Sequence, residues 1–177
     1  MPDAPAIRLA NLRHYLLARQ DADLLAVGEA AGYQGMRWSG IAFTSERDLA
    51  RWGAPYRRTS RSRRNGWSEP SGTIVHGLLE EVGAERRVVL WNTVPAHPYR
   101  PNQAMSNRRP TRSEVECGVV FLERLIGLLQ PNKIVAVGRI AEAILGERGA
   151  IYVRHPAQSG ATAFRQGMRR ILLETGG

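Results

Sequence analysis

The sequence predicts an α/β protein, a three-layer α/β/α sandwich around a central four-stranded parallel sheet. Three observations carry this expectation. Four short apolar runs rich in Val, Ile and Leu are spread along the 177 residues. They lack the alternation of half-exposed strands and suit strands buried on both faces, as in a parallel sheet covered by helices. The segments between them have helical spacing, and strands that alternate with helices define the class. A chain of this length can bury its own core, so residues 1–177 are expected to form one domain.

Taken in order, a first helix is expected through RLANLRHYLLARQ (8–20), followed by the strand DLLAV (23–27). The glycine-bearing stretch GEAAGYQGMRWSGIAF (28–43) comes next. Residues 55–70, PYRRTSRSRRNGWSEP, break the rhythm as a basic loop carrying Arg57, Arg58, Arg61, Arg63 and Arg64. A helix over 71–83 aligns Ile74, Val75, Leu78, Leu79 and Val82 and closes at Gly83. The second strand is RVVLW (87–91). The stretch PAHPYRPNQAMSNRRP (95–110) is irregular again, and long loops inside compact domains are usually functional or mobile. Thr111 and Glu114 form a capping-box pattern at the head of a helix that stops at Pro131. A third strand, KIVAV (133–137), a short helix over 139–146, a fourth strand, IYV (151–153), and a helix over 161–174 complete the series.

The formal charge is +9 with an isoelectric point near 10.9, and every basic residue but Lys133 is arginine. Arginine forks onto phosphate and stacks on bases, which favours a polyanionic partner. Cys117 is the sole cysteine, so neither a disulfide framework nor a four-cysteine metal site is possible. Its apolar helical surroundings predict a buried structural thiol. His76 falls inside a helix and His97 in a proline-rich loop, without zinc-ligand spacing. No metal or cofactor is expected. No apolar run reaches membrane-spanning length and the N-terminus lacks a signal-peptide core, so a soluble, cytoplasmic monomer is expected.

Ligands of open α/β sheets bind beyond the carboxyl ends of the strands. There the sequence delivers Gly28 and Glu29, then Asn92 and Thr93, then Gly138 and Arg139, then Arg154, His155 and Pro156. Glu29, Asn92 and His155 should converge on one rim. The glycine stretch has neither the Lys-Ser/Thr pair of a phosphate loop nor a dinucleotide fingerprint. A carboxylate at Glu29 would repel phosphate. The glycines instead suit a backbone passing close to a neutral ring, or a tight turn in which Glu29 caps the following segment. Asn92 offers the donors and acceptor that match a pyrimidine edge, or satisfies a turn. His155, held before Pro156, can donate to an oxygen that gains charge, or is simply a satisfied histidine.

The motifs GEAAG, GIAF, WNTVP and HPAQSG together resemble the uracil-DNA glycosylase superfamily, in the same order, from about residue 23 to the last helix. GEAAG with GIAF is similar to the loop of the thermostable iron–sulfur branch. The resemblance implies base flipping and hydrolysis of the N-glycosidic bond of uracil in single- or double-stranded DNA, starting base-excision repair. It implies Phe43 as the stacking platform beside Gly28 and Ala30, and Asn92 on the uracil edge. His155 would lie at O2, and Glu29 near the scissile bond. Glu29 or Gln34 would orient water. The arginines at 57, 58, 61, 63 and 64, with Arg154 and Ser159, would meet DNA. The chain departs from that branch in lacking its cluster cysteines and from other branches in carrying Ala30 where they place Asp or Asn. Ala157 to Gly160 supply no bulky wedge, a gap that Arg58, Arg61 or Arg154 could fill. Ala30 leaves open a DNA-binding module without chemistry, and the scaffold also suits another lesion such as hypoxanthine.

Overall fold

The computed structural model of the protein describes residues 3–174. Four parallel strands form one sheet: β1 (Leu24–Ala30), β2 (Val88–Val94), β3 (Lys133–Val137) and β4 (Ile151–Val153). Their order is β2-β1-β3-β4, so the chain reverses direction across the sheet between β1 and β3. Helices α1 (Ala4–Leu17), α4 (Pro70–Glu81), α5 (Arg112–Leu129), α6 (Arg139–Leu145) and α7 (Ala161–Glu174) surround it. Right-handed crossovers put α4 on one face and α5 and α6 on the other. α7 packs on β4 and against α4, and completes the first face. This is the three-layer α/β/α sandwich expected from the sequence.

The sheet is the core. Leu24, Leu25, Val27, Val88, Val89 and Val135 have essentially no exposed surface. Tyr15 from α1 seals the β2 edge, where its hydroxyl accepts the Leu90 N–H at 2.9 Å. An edge amide that would otherwise template further strand pairing is thereby satisfied.

Two strands run further than their apolar runs. β1 continues through Gly28, Glu29 and Ala30, and β2 through Asn92, Thr93 and Val94. Backbone pairing persists from Leu24↔Val88 to Ala30↔Val94 after the apolar pattern has ended. Thus GEA belongs to a strand rather than a loop, and Asn92 lies inside β2 rather than after it. Pairing of β1 with β3 extends from Leu24↔Lys133 to Val27↔Ala136. Beyond that point the two strands part, and a crevice opens at the reversal in strand order.

Two short helices, α2 (Met36–Ser39) and α3 (Glu46–Trp52), fill the connection between β1 and α4. α3 starts with a reciprocal box in which Ser45 and Asp48 satisfy each other's backbone amides. The box expected at Thr111 and Glu114 heads α5. Cys117 is exposed, contrary to the expectation of a buried thiol. The buried stripe of α5 runs through Gly118, Leu122 and Leu125, and Cys117 falls one position off it.

Candidate active site

The crevice between β1 and β3 widens into a cavity of about 680 Å³. Glu29, Ala30, Phe43, Asn92, Arg154 and His155 line it, as do Glu69 and three further arginines, Arg108, Arg109 and Arg139. Six of the residues expected from the sequence are therefore brought together by four separate segments.

Phe43 is held in a demanding conformation. Its φ is 52°, the left-handed region that bulky residues rarely occupy. Two glycines make the placement possible. A Cβ on Gly72 would lie 2.3 Å from the Phe43 carbonyl oxygen, and one on Gly28 only 2.4 Å from its ring Cζ. The Gly28 position is also 2.6 Å from Asn92 Oδ1, so ring and amide crowd the same bare stretch of β1. Gly28 thus sits behind the cavity wall and shapes it without lining it.

Asn92 is 4% exposed, and one of its amide N–H groups meets Met36 Sδ at 3.4 Å. Sulfur is a weak acceptor, and an amide offers a second donor and an oxygen besides. The neighbouring Thr93 hydroxyl donates to the Gly28 carbonyl at 3.0 Å and ties β2 to β1.

His155 lies across the cavity, its ring centroid 5.7 Å from that of Phe43 and inclined at 35°. Its Nδ1 accepts the Ala157 N–H at 3.1 Å. An imidazole that accepts at Nδ1 carries its proton on Nε2 when neutral. Burial lowers its pKa below the ordinary histidine value; nearby Glu29 opposes this, and Arg154 adds to it. His155 is therefore a neutral Nε2–H donor at pH 7. The turn that carries it is tight. A Cβ on Gly160 would fall 2.0 Å from the His155 carbonyl, while Gln158 and Ser159 take φ of 52° and 61°. Arg154 steadies the turn by donating to the Gln158 carbonyl at 3.3 Å.

Glu29 reaches across the crevice. Its Oε1 accepts the Ile140 N–H of α6 at 3.3 Å and packs against Gly138, where a Cβ would stand 2.6 Å away. Glu29 does cap a segment, but one on the far side of the reversal point rather than the next in sequence.

Other expected residues lie outside this cavity. Gln34 occupies the turn before α2 and does not line it, and Ser159 is exposed at the adjoining turn. The arginines of the basic loop also stay off the cavity wall. Arg57, Arg61 and Arg64 are exposed. Arg58 instead turns onto its own loop, donating to the Arg63 and Arg64 carbonyls at 2.7 and 3.0 Å, and Arg63 covers the Trp67 ring at 3.9 Å. The peg of this loop is Glu46. Its carboxylate accepts the Thr59 N–H at 2.8 Å, the Ser60 N–H at 2.6 Å, the Ser60 hydroxyl and the Trp67 N–H at 3.2 Å. Burial alone would raise the Glu46 pKa, but these hydrogen bonds outweigh it and hold the group below its ordinary value.

The loop over 95–110 forms part of the rim. Asn107 accepts the Tyr33 N–H at 3.1 Å and so joins this loop to the glycine stretch. Arg108 forks onto Glu114 with two bonds of 2.7 Å. His76 is structural, paired with the Thr44 hydroxyl at 3.0 Å. Among the described residues no group of three His, Cys, Asp or Glu side chains is arranged to hold a metal ion. With Cys117 alone, the chain has no ligand set for a four-cysteine cluster. No helix of the described residues is long and apolar enough to cross a membrane.

Sequence reasoning missed Glu69, Arg108 and Arg109, and placed Arg139 at the end of β3 without giving it a role. Glu69 gave one signal, a glutamate at a helix N-cap, where Ser, Thr, Asp or Asn is preferred.

Fold and cavity together define a doubly wound α/β protein with a cavity at its switch point, bordered by four arginines. The chain belongs to the Uracil DNA glycosylase superfamily, whose profile matches residues 15–173. It is also similar to the type-4 uracil-DNA glycosylase of Pyrobaculum aerophilum, with 36% identity over 78 residues. That match covers 44% of this chain and 37% of the relative.

Proposed function

We propose that the protein is a monofunctional uracil-DNA glycosylase that extrudes uracil from DNA and hydrolyses its N-glycosidic bond, the first step of base-excision repair. The observation that carries the proposal is His155, whose Nδ1 accepts the Ala157 N–H and whose ring lies across the cavity from that of Phe43. Superfamily membership and the named activity of the Pyrobaculum relative support uracil as the base.

The chemistry follows from charge. A base must leave the stack before its bond to sugar can be reached, and stacking plus edge hydrogen bonds offset the cost. Phe43 supplies the stacking face, and the Asn92 amide the edge. As the bond breaks, negative charge grows on the uracil oxygens and positive charge on the sugar. A neutral His155 donor strengthens its hydrogen bond as O2 becomes charged, and does so without a proton having to move. The Glu29 carboxylate and the DNA phosphates stabilise the sugar cation. Arg109 and Arg154 at the rim, with the exposed arginines of the basic loop, would hold flanking phosphates.

A labelled oligonucleotide with a single uracil, incubated with the protein and then treated with alkali, tests this. Strand cleavage at the uracil is expected, and none on either single- or double-stranded substrate would refute glycosylase activity. His155→Ala should slow release by about 10²–10³-fold, the scale for one lost transition-state donor. A parallel oligonucleotide bearing hypoxanthine should be cut more slowly, and the reverse preference would reassign the lesion.

A further inference from the structure

Glu69 carries a carboxyl group that the fold does not use. It stands at the N-cap of α4, yet its side chain makes no capping bond. Its Oε2 is buried and has no hydrogen-bond partner. The glycine stretch is shaped around it. A Cβ on Gly35 would fall 2.0 Å from Oε2, and one on Gly32 would lie 3.3 Å from Oε1. The spacing of Gly32 and Gly35 therefore answers to a carboxyl group from α4.

Glu69 belongs to the wall of the cavity, beside Ala31 and Gly32. The other candidates for handling water are poorly placed for it. Residue 30 is an alanine, Gln34 does not line the cavity, and Glu29 Oε1 is engaged by the Ile140 N–H. We propose that Glu69 is the general base of the hydrolysis, accepting a proton from the attacking water; this rests on the glycosylase assignment above.

The step balances. The water oxygen bonds to C1′ of the deoxyribose as the C1′–N1 bond breaks, and the electron pair of that bond leaves with the uracil. One water proton passes to the Glu69 carboxylate and the other stays on the new sugar hydroxyl. Glu69 then returns its proton to solvent, and the uracil anion takes one up. Burial, reinforced by the Asp48 carboxylate of α3, raises Glu69 to about 7, where a base can be half ionised at neutral pH. Glu29 faces the same cavity from β1. Arg108, Arg109, Arg139 and Arg154 also line the cavity, and Arg108 and Arg139 are ion-paired with Glu114 and Glu142.

Single-turnover uracil release is measured for wild type, Glu69→Gln and Glu69→Ala from about pH 5 to 9, with DNA affinity determined in parallel. The wild-type rate should climb with pH and bend near 7. Glu69→Gln should lose about 10²–10⁴-fold in rate and the rising limb with it, and keep its affinity for uracil DNA. Added formate should restore part of the rate to Glu69→Ala by occupying the vacated space. A Gln variant with wild-type rate and limb overturns the role of Glu69 and leaves the glycosylase assignment intact. Slowing accompanied by lost affinity and no formate rescue assigns Glu69 a structural part instead. A wild type that releases no uracil removes the assignment and this role together.

Discussion

Replacing Glu69 by glutamine should make the protein more stable at alkaline pH, an effect that needs no assumption about catalysis. The native carboxyl group titrates at about 7, against 4.5 for the ordinary value, because it is buried and faces Asp48. Below 4.5 the group is protonated in both folded and unfolded chains and contributes nothing to the pH dependence. Between 4.5 and 7 the unfolded chain has released its proton while the native state retains it, so stability falls as pH rises. Above 7 both are ionised and the full penalty remains. A gap of this size corresponds to about 3 kcal/mol. Glutamine has the same shape and no charge, so it escapes that penalty. Urea unfolding of both proteins at pH 4 and pH 8 isolates the effect, because every other titrating group cancels in the difference. The variant should gain about 3 kcal/mol on wild type between the two conditions. A difference independent of pH would mean that the Glu69 carboxyl group is solvated, and would remove the physical basis for its role as a base.

Gly28→Ala places a methyl 2.4 Å from the Phe43 ring and 2.6 Å from Asn92 Oδ1. The ring must move, and uracil release should fall by about 10²-fold; unchanged kinetics would show that Phe43 is not the platform. Glu46→Ala leaves the Thr59, Ser60 and Trp67 amides without their acceptor. It should cost about 3–5 kcal/mol in urea unfolding, and a loss under about 1 kcal/mol would deny Glu46 its anchoring part. Joint replacement of Arg57, Arg61 and Arg64 by alanine should weaken DNA binding across sequences. The slope of log affinity against log salt should shrink by about 0.9 for each phosphate that the loop no longer neutralises. Arg58→Ala should instead loosen the loop, because its guanidinium holds the Arg63 and Arg64 carbonyls. An unchanged slope in the triple variant would show that the loop does not meet phosphate.

The sheet was legible because unbroken apolar runs have few other uses in an α/β chain, and the box at Thr111 marked the start of α5 to the residue. The strand ends were not, because apolar pattern and backbone pairing part company at the site. Gly28, Glu29 and Asn92 are paired as strand while breaking the hydrophobic rhythm. α3 did carry a local sign, Ser45 with Asp48, that an all-apolar search passes over. Cys117 was misjudged because one helical position, about a quarter of a turn, separates core from solvent. The convergence of Glu29, Asn92 and His155 followed from topology alone, and the cavity contains all three. Glu69 was invisible for a different reason. Its burial depends on missing side chains at Gly32 and Gly35, more than thirty residues away, and no local pattern encodes that.

Two glutamates with desolvated carboxyl groups, at the heads of neighbouring helices, show how environment divides structural from chemical roles. Glu46 opens α3, and Glu69 caps α4. Both carry a desolvation penalty, which by itself raises a carboxyl pKa. Glu46 is met by four donors from the basic loop, and their hydrogen bonds reverse the shift. Glu69 is met by none at Oε2 and faces Asp48, so its shift stands. If burial of Glu69 served only to fill space, a donor or an apolar residue would fill it at lower cost. Instead several unfavourable features meet at the site: the unpaired oxygen of Glu69, the left-handed Phe43, and the consecutive left-handed Gln158 and Ser159. Each raises the energy of the free protein, and each borders the cavity or the turn that holds His155. Such costs persist where surrounding structure enforces them, and here the well-satisfied sheet beneath supplies that enforcement. The carboxylate in the glycine stretch that first argued against phosphate, Glu29, turns out to brace the crevice. The one the stretch was shaped to receive, Glu69, comes from α4.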